Sequence, residues 1–275
     1  MPELPEVETI ANGLHKRLRG DRIESVWVGR KPEPLKSPAA AIARTLEGAR
    51  VEGVRRVGKY IVFDLQGGEL RGNGQPATGQ WIVHLGMTGR MLVADPESEI
   101  PKHTHLVARL ASGKELRFVD PRRFGRLEVR KGDFAGPGAE PLTISEEGFT
   151  RLFHRRTAPI KALLLNQTLL HGVGNIYADE SLFRAGVRPG RRASSLTRAE
   201  LSALRKSLRQ VLKEAIAAGG SSVSDYVDAD GEEGFFQLRH RVYGREGQPC
   251  LVCKSKIKRI VVAGRGTHYC PRCQK

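Results

Sequence analysis

Two groups of residues, one at each end of the chain, have types and spacings that can do chemistry. The first is the opening Met1-Pro-Glu-Leu-Pro-Glu-Val-Glu-Thr9. Met1 precedes a small residue, so its removal is expected, and Pro2 then becomes the terminus. A terminal proline is a secondary amine with a pKa near about 8, so a sizeable fraction is neutral at physiological pH. Such an amine can attack an aldehyde-level carbon to give an iminium ion, and Glu3 beside it can move protons. A plainer reading fits the same residues, because Pro2 and Pro5 also suit the first turn of a helix. The opening by itself leaves both readings standing.

The second group is Cys250-x-x-Cys253 and Cys270-x-x-Cys273, with sixteen residues between the pairs. Two such knuckles offer four thiolates to one tetrahedral zinc ion. With every position filled by protein, the metal is structural. Redox chemistry would want a βαβ context, which the surrounding sequence lacks. Between Arg239 and Lys275 stand ten Lys or Arg residues and a single acid, Glu246. Arg265, flanked by Gly264 and Gly266, falls where the tip of a metal-held hairpin should lie. That is a place for a phosphate contact, although the residues alone favour a solvated side chain.

These groups need elements to position them. Val7, Ile10, Leu14 and Leu18 recur at three- and four-residue steps, which predicts a helix over 5–19 stopped by Gly20. Short apolar or alternating runs then predict strands at Ile23–Val28, Tyr60–Leu65, Trp81–Leu85, Met91–Ala94, Leu106–Leu110, Leu116–Val119 and Arg126–Val129, the pattern of a β-sandwich or barrel. The polar, glycine-rich stretch Gly67–Gly79 reads as a mobile surface loop. Three glycines and two prolines in 132–141 read as a linker. Beyond it the pattern turns helical: Ser145 caps one helix, Pro159 opens another, and Thr197 with Glu200 forms a capping box for a long helix ending at Gly219. Residues 219–234 have few apolar anchors and read as a loop that orders on demand. The expected division is 1–131, a β-rich domain led by a helix; 132–141, the linker; 142–237, a helical domain; and 238–275, the zinc finger.

Composition narrows the partners. The formal net charge is +16 over 275 residues, and 39% of residues are hydrophobic, enough for a core in each of two domains. Such a field favours a polyanion, and nucleic acid is the first candidate. A membrane surface is a weaker rival without an amphipathic basic helix, and no apolar run approaches a span. Glu3, Glu6 and Glu8 do not suit a signal peptide, and clustered cysteines do not suit a secreted disulfide framework, so a reducing intracellular compartment is expected.

Several local motifs are specific. Besides Pro2–Thr9 and the four cysteines, they are Gly58-Lys-Tyr60, His84-Leu-Gly-Met-Thr-Gly89, Asp120-Pro-Arg-Arg-Phe-Gly125 and Gly172-Val-Gly-Asn-Ile-Tyr177. Together, nearly end to end, they resemble the formamidopyrimidine-DNA glycosylase family, and Leu4–Thr9 is similar to its purine-lesion branch. The resemblance implies a multidomain α and β fold: an N-terminal β-sandwich with a leading α-helix, then a helix-two-turn-helix domain carrying a four-cysteine zinc-finger hairpin. It implies an enzyme that excises oxidised purines such as 8-oxoguanine and formamidopyrimidines and then cuts the strand by β,δ-elimination. The partner is double-stranded DNA with such a lesion or an abasic site, the enzyme a monomer without a membrane, in the bacterial cytoplasm at the nucleoid.

Site residues follow from the same resemblance. Pro2 is the nucleophile at the sugar C1′, Glu3 the proton donor and acceptor, and Glu6 a support of the same acidic opening. Lys59, His84, Asn175 and Arg265 fall on phosphate-contacting positions. Met87, Arg122 and Phe124 fall on positions that fill the gap left by the everted base, and Lys161 on a lysine that affects lesion handling. The 219–237 segment matches a lesion-recognition loop, with Ser221, Ser222 and Ser224 able to read the flipped base. On residue type alone, Met87 and Phe124 could be core, but both lie in glycine-bounded turns beside polar residues, which argues against it. A lone histidine such as His84 is often structural, and here it is read as a phosphate contact and not an acid–base group. Rival functions are an endonuclease VIII-like enzyme for oxidised pyrimidines, a non-catalytic zinc DNA-binding damage sensor and a zinc-ribbon RNA-binding protein.

Overall fold

The computed structural model describes residues 1–70, 76–222 and 234–275, and divides them into two units. Unit 1 holds Met1–Ala135 and Gly219–Gly234; unit 2 holds Gly136–Ala218 and Phe235–Lys275. No helix among the described residues is long and apolar enough to cross a membrane.

Unit 1 opens with α1 (Leu4–Leu18), whose buried Val7, Ile10, Ala11, Leu14 and Leu18 form one face. It ends before Gly20, which takes the left-handed backbone (φ +86) that glycine adopts without steric cost. Then follow β1 (Ile23–Val28), α2 (Ala39–Leu46), β2 (Ala49–Val57), β3 (Tyr60–Leu70), β4 (Pro76–His84), β5 (Arg90–Ala94), β6 (Thr104–Leu110), β7 (Glu115–Val119) and β8 (Arg126–Arg130). They make two four-stranded antiparallel sheets, ordered β1-β6-β7-β5 and β2-β3-β4-β8. One core joins them: Phe63, Trp81, Val83 and Leu127 from the second sheet pack with Met91, Leu106, Leu116 and Phe118 from the first and with the apolar faces of α1 and α2.

Three differences from the sequence pattern have physical causes. The pattern does not announce β2, because Gly53 and a register shift between Val51 and Gly53 break its alternation. It does not announce α2, a single short amphipathic turn pair burying only Ile42 and Leu46. The loop expected over 67–79 is narrower: β3 and β4 pair through Gln66↔Thr78 and Leu65↔Gly79, since a ladder of backbone hydrogen bonds tolerates residues that carry no packing signal. The tip, residues 71–75, lies outside the described residues, as do residues 223–233 with Ser224.

Unit 2 contains α3 (Glu146–Phe153), α4 (Ile160–Leu164), α5 (Asn175–Arg184) and α6 (Arg198–Ala217). Ser145 Oγ accepts the Gly148 N–H at 3.0 Å, and Thr197 and Glu200 cap α6 reciprocally, satisfying amides that a helix start leaves orphaned. The C-terminal segment forms the hairpin β9 (Lys258–Val262) and β10 (Arg265–Tyr269), closed by Ala263 and Gly264, both at positive φ. Cys250 and Cys270 pack with Phe183, Val242 and Ile257 in a small core of their own.

Candidate functional site

In unit 1 the start of α1 is built around acids. Pro2 is buried, while Met1 is 49% exposed. With Met1 in place the Pro2 nitrogen is an amide with no lone pair to offer. Glu3 caps the helix, and the Glu3 N–H donates to Glu6 Oε2 at 2.8 Å while the Glu3 carboxylate accepts from the Glu6 backbone. The other oxygen of Glu6, Oε1, accepts the Ser221 N–H at 2.8 Å. Glu6 is thus a strap between the helix start and residues 219–222, not a free proton carrier. Gly220 (φ +85) makes the strap possible: a Cβ there would lie 2.9 Å from Glu6 Cγ and Oε1.

Lys59 stands in the β2–β3 turn beside Gly58 (φ +61) and is buried. The turn is tied to α1 through Arg56, whose guanidinium pairs with Glu8 and donates to Gly58 O. His84 ends β4, its ring 4.9 Å from that of Tyr60. Burial first, then the charges of Arg126 and Lys59, push its pKa down from 6.5 to about 4. Its Nδ1 accepts the Gly86 N–H at 3.1 Å, so the single ring proton sits on Nε2. His84 is a neutral donor at physiological pH, suited to an oxyanion and not to acid–base exchange.

Two turns of unit 1 carry large apolar side chains in the open. Met87 is 42% exposed and Phe124 is 54% exposed, so core packing does not account for either. The Arg122 guanidinium lies 4.7 Å over the Phe124 ring. Two residues that stand in these motifs, and to which the sequence assigns no role there, hold the turns: Thr88, and Asp120 at 0% exposure.

In unit 2 Lys161, matched in sequence to a lysine that affects lesion handling, lies in the interior. It is fully buried, and its ammonium pairs with Asp179 Oδ1 at 2.6 Å and donates to Thr267 Oγ1 at 2.7 Å and to Gly266 O at 3.2 Å. The ammonium is thus held among groups of unit 2, with no exposed surface of its own. It fixes β10 to α4 and α5. Asp179 completes the anchor by accepting the His268 N–H at 2.8 Å. No sequence signal marks Asp179 as that partner, since an acid inside an amphipathic helix usually reads as a solvated one. Asn175, the first residue of α5, donates to Gly266 O at 3.0 Å, and its own Oδ1 is buried without a partner among the described residues. Arg265 is exposed at the start of β10, one residue beyond the turn.

The four cysteine sulfurs lie within 4.8 Å of one another. A tetrahedron of zinc–sulfur bonds near about 2.3 Å has edges of roughly 3.8 Å, and the observed Cys250–Cys273 and Cys253–Cys270 separations are 3.9 and 3.4 Å. The donor set fits one zinc ion closed to solvent ligands. Gln274 supports it from outside, accepting the Cys270 N–H and donating to Val187 O.

Three segments of the chain match known protein families. Residues 1–127 match the formamidopyrimidine-DNA glycosylase N-terminal domain, residues 136–227 the H2TH domain of the same proteins, and residues 247–275 a zinc finger found in FPG and IleRS. The chain is 43% identical over 283 residues to a formamidopyrimidine-DNA glycosylase of Solibacter usitatus and 44% identical over 290 residues to one of Gluconobacter oxydans, each covering 100% of both chains. Among solved structures, the MutM (Fpg) protein of Thermus thermophilus matches with a TM-score of 0.84 and 45% identity, covering 99% of this chain and 98% of that one. A point mutant of the Lactococcus lactis FPG, solved with Fapy-dG-containing DNA, matches with a TM-score of 0.89 and 34% identity, covering 100% of both chains.

Proposed function

Because the chain belongs to the formamidopyrimidine-DNA glycosylase family, and is therefore a DNA glycosylase of base-excision repair with lyase activity, we propose that it excises oxidised purines through an N-terminal proline nucleophile. The observation that carries this reading is the start of α1, where Pro2 and Glu3 are buried side by side and Glu6 pins the Glu3 amide.

The reaction begins with the duplex. It is bent and the damaged nucleotide everted, at a cost of roughly a few kcal/mol in lost stacking and pairing. Phe124 enters the base step, Met87 fills the vacancy, and Arg122 donates to the orphaned partner base. With Met1 removed, the Pro2 lone pair forms a bond to C1′ as the glycosidic bond breaks, and the base leaves with a proton. Glu3 protonates O4′ as the sugar ring opens, which gives an iminium ion at C1′. The iminium acidifies C2′; loss of that proton expels the 3′ phosphate, and a second elimination expels the 5′ phosphate. Lys59, His84, Asn175 and Arg265 hold the flanking phosphates, His84 and Asn175 as neutral donors. Zinc holds the hairpin that presents Arg265 and enters no bond-making step. The enzyme acts as a monomer in the cytoplasm, at the nucleoid.

Borohydride trapping on DNA with an abasic site or 8-oxoguanine tests the assignment. An adduct mapping to the first residue of the mature chain is expected, together with a severe weakening of that adduct in Pro2→Gly, whose terminal primary amine can still form an imine, and a fall in rate of about 10²–10⁴-fold in Glu3→Gln. Undiminished excision by Pro2→Gly overturns the nucleophile, and the absence of any adduct favours a binding-only sensor. An endonuclease VIII-like preference gains weight from one relative, since the Lactococcus lactis Fpg was solved with DNA containing an oxidised pyrimidine. Excision of 8-oxoguanine measured against thymine glycol separates the two.

A further inference from the structure

The two turns that carry Met87 and Phe124 are far apart in sequence but share one buried carboxylate. Asp120 Oδ1 accepts the Thr88 hydroxyl at 2.6 Å, and its Oδ2 accepts the Gly125 N–H at 2.7 Å. The Arg122 N–H is shared between Thr88 Oγ1 and Asp120 Oδ1, at 3.3 Å to each. Asp120 is itself held rigidly. Its N–H donates to His103 O at 3.0 Å, and its carbonyl accepts from His105 Nε2 at 2.9 Å. The backbones of the two turns also touch. A Cβ on Gly86 would lie 2.6 Å from the Phe124 carbonyl carbon and 2.7 Å from Gly125 N, and one on Gly125 would lie 2.5 Å from Phe118 Cζ. Replacing Gly86 would push the turns apart, and replacing Gly125 would displace the core ring of Phe118.

We propose that Asp120 and Thr88 are positioning residues that lock the Met87 turn to the Arg122–Phe124 turn, so that the three inserting side chains enter the duplex as one rigid wedge. The proposal rests on the reading that Met87, Arg122 and Phe124 fill the space of the everted base. Physical necessity lies behind it. Opening a base step demands that each inserted group hold its place against restacking, and an exposed side chain on a freely moving turn spends that push on its own displacement. A buried carboxylate satisfied by a hydroxyl and backbone amides gives two-turn rigidity without presenting a charge to the DNA stack. Thr88 is the coupling point, because its hydroxyl carries the Met87 turn's side-chain bond to Asp120.

The test compares Thr88→Val, which keeps shape and loses the hydroxyl, with Thr88→Ser, which restores it. A charge-assisted hydrogen bond lost inside a protein corresponds to about a tenfold to hundredfold change in rate when it acts only in the stressed state. We expect Thr88→Val to slow wedge insertion by about that factor, read as the stopped-flow signal of 2-aminopurine beside an 8-oxoguanine pair, and to slow 8-oxoguanine excision in parallel. Borohydride trapping on a single-stranded abasic oligonucleotide, which has no stack to open, should stay within about twofold of the parent, and Thr88→Ser should recover insertion. Met87→Ala and Phe124→Ala are run beside them. If these slow insertion while a folded Thr88→Val does not, the lock is wrong and the wedge stands; if none of the three slows it, the wedge reading falls as well. Should Thr88→Val fail to fold, Thr88→Ala, which removes the same hydroxyl without adding bulk, decides in its place, with slowed insertion expected and parent-like insertion overturning the lock.

Discussion

His84 is placed so that its protonation state follows from its neighbours. Burial lowers its pKa to about 4, and the Gly86 amide occupies the one nitrogen that could accept a proton. The same burial lowers His240 in unit 2 to about 4. Both groups therefore take up a proton more readily in the unfolded chain, whose imidazoles keep the ordinary value of 6.5. Above pH 6.5 the folded state has its full advantage, and that advantage drains away as pH falls through the window down to about 4. His84→Asn keeps an acceptor for Gly86 and removes the titration. The drop in urea midpoint between pH 7.5 and 4.5 should then be smaller than in the parent, by on the order of 2–3 kcal/mol in free energy. An unchanged drop would show that His84 titrates normally.

At the scale of elements, the β9–β10 hairpin is held by metal at one end and by a buried ion pair at the other. Lys161 and Asp179 are both at 0% exposure, and between them they reach Gly266, Thr267 and His268 on β10. Breaking one partner of a buried pair leaves an uncompensated charge and costs about 3–5 kcal/mol, whereas removing both costs less. Lys161→Met should therefore lower stability by about that amount and speed amide exchange at Gly266 and Thr267. The double variant Lys161→Met with Asp179→Leu should recover most of the loss, as thermal melts and hydrogen exchange would record. This anchor also marks a limit of what the sequence discloses. The periodicity of α1 and α6, the capping residues Ser145 and Thr197, and the knuckles of the zinc hairpin are local signals, and they are legible because neighbours along the chain create them. Lys161 with Asp179, Glu6 with Ser221, and Asp120 with Thr88 join residues 18, 215 and 32 positions apart. Only the tertiary fold brings such pairs together, and a buried charge is indistinguishable from a solvated one until its partner is known. β2 is hidden for a related reason, since its bulge at Gly53 erases the alternation that marks a strand.

For the molecule as a whole, a net charge of +16 on 275 residues makes DNA association a counter-ion problem. The contacts proposed above divide by charge. Lys59 and Arg265 release counter-ions when they bind phosphate; His84 and Asn175 do not. Arg265→Ala should flatten the plot of log affinity against log salt by about 0.9 for the phosphate it leaves, and His84→Asn should weaken binding without changing that slope. Titrations of a lesion-bearing duplex between 50 and 200 mM salt, roughly the range over which such contacts are felt, would measure both.

Glu6 ties two duties to one side chain. One of its oxygens secures the amide of Glu3, next to the proposed nucleophile, and the other secures the backbone at Ser221, near the start of the segment expected from the sequence to read the lesion. On that reading, the judgement that a base is damaged and the readiness to cut beneath it share one carboxylate as their pivot. Glu6→Gln, which keeps one acceptor oxygen and gives up the other, would slacken one tie and spare its twin, so an engineer who wants a new lesion appetite with both ties intact leaves Glu6 and Gly220 alone.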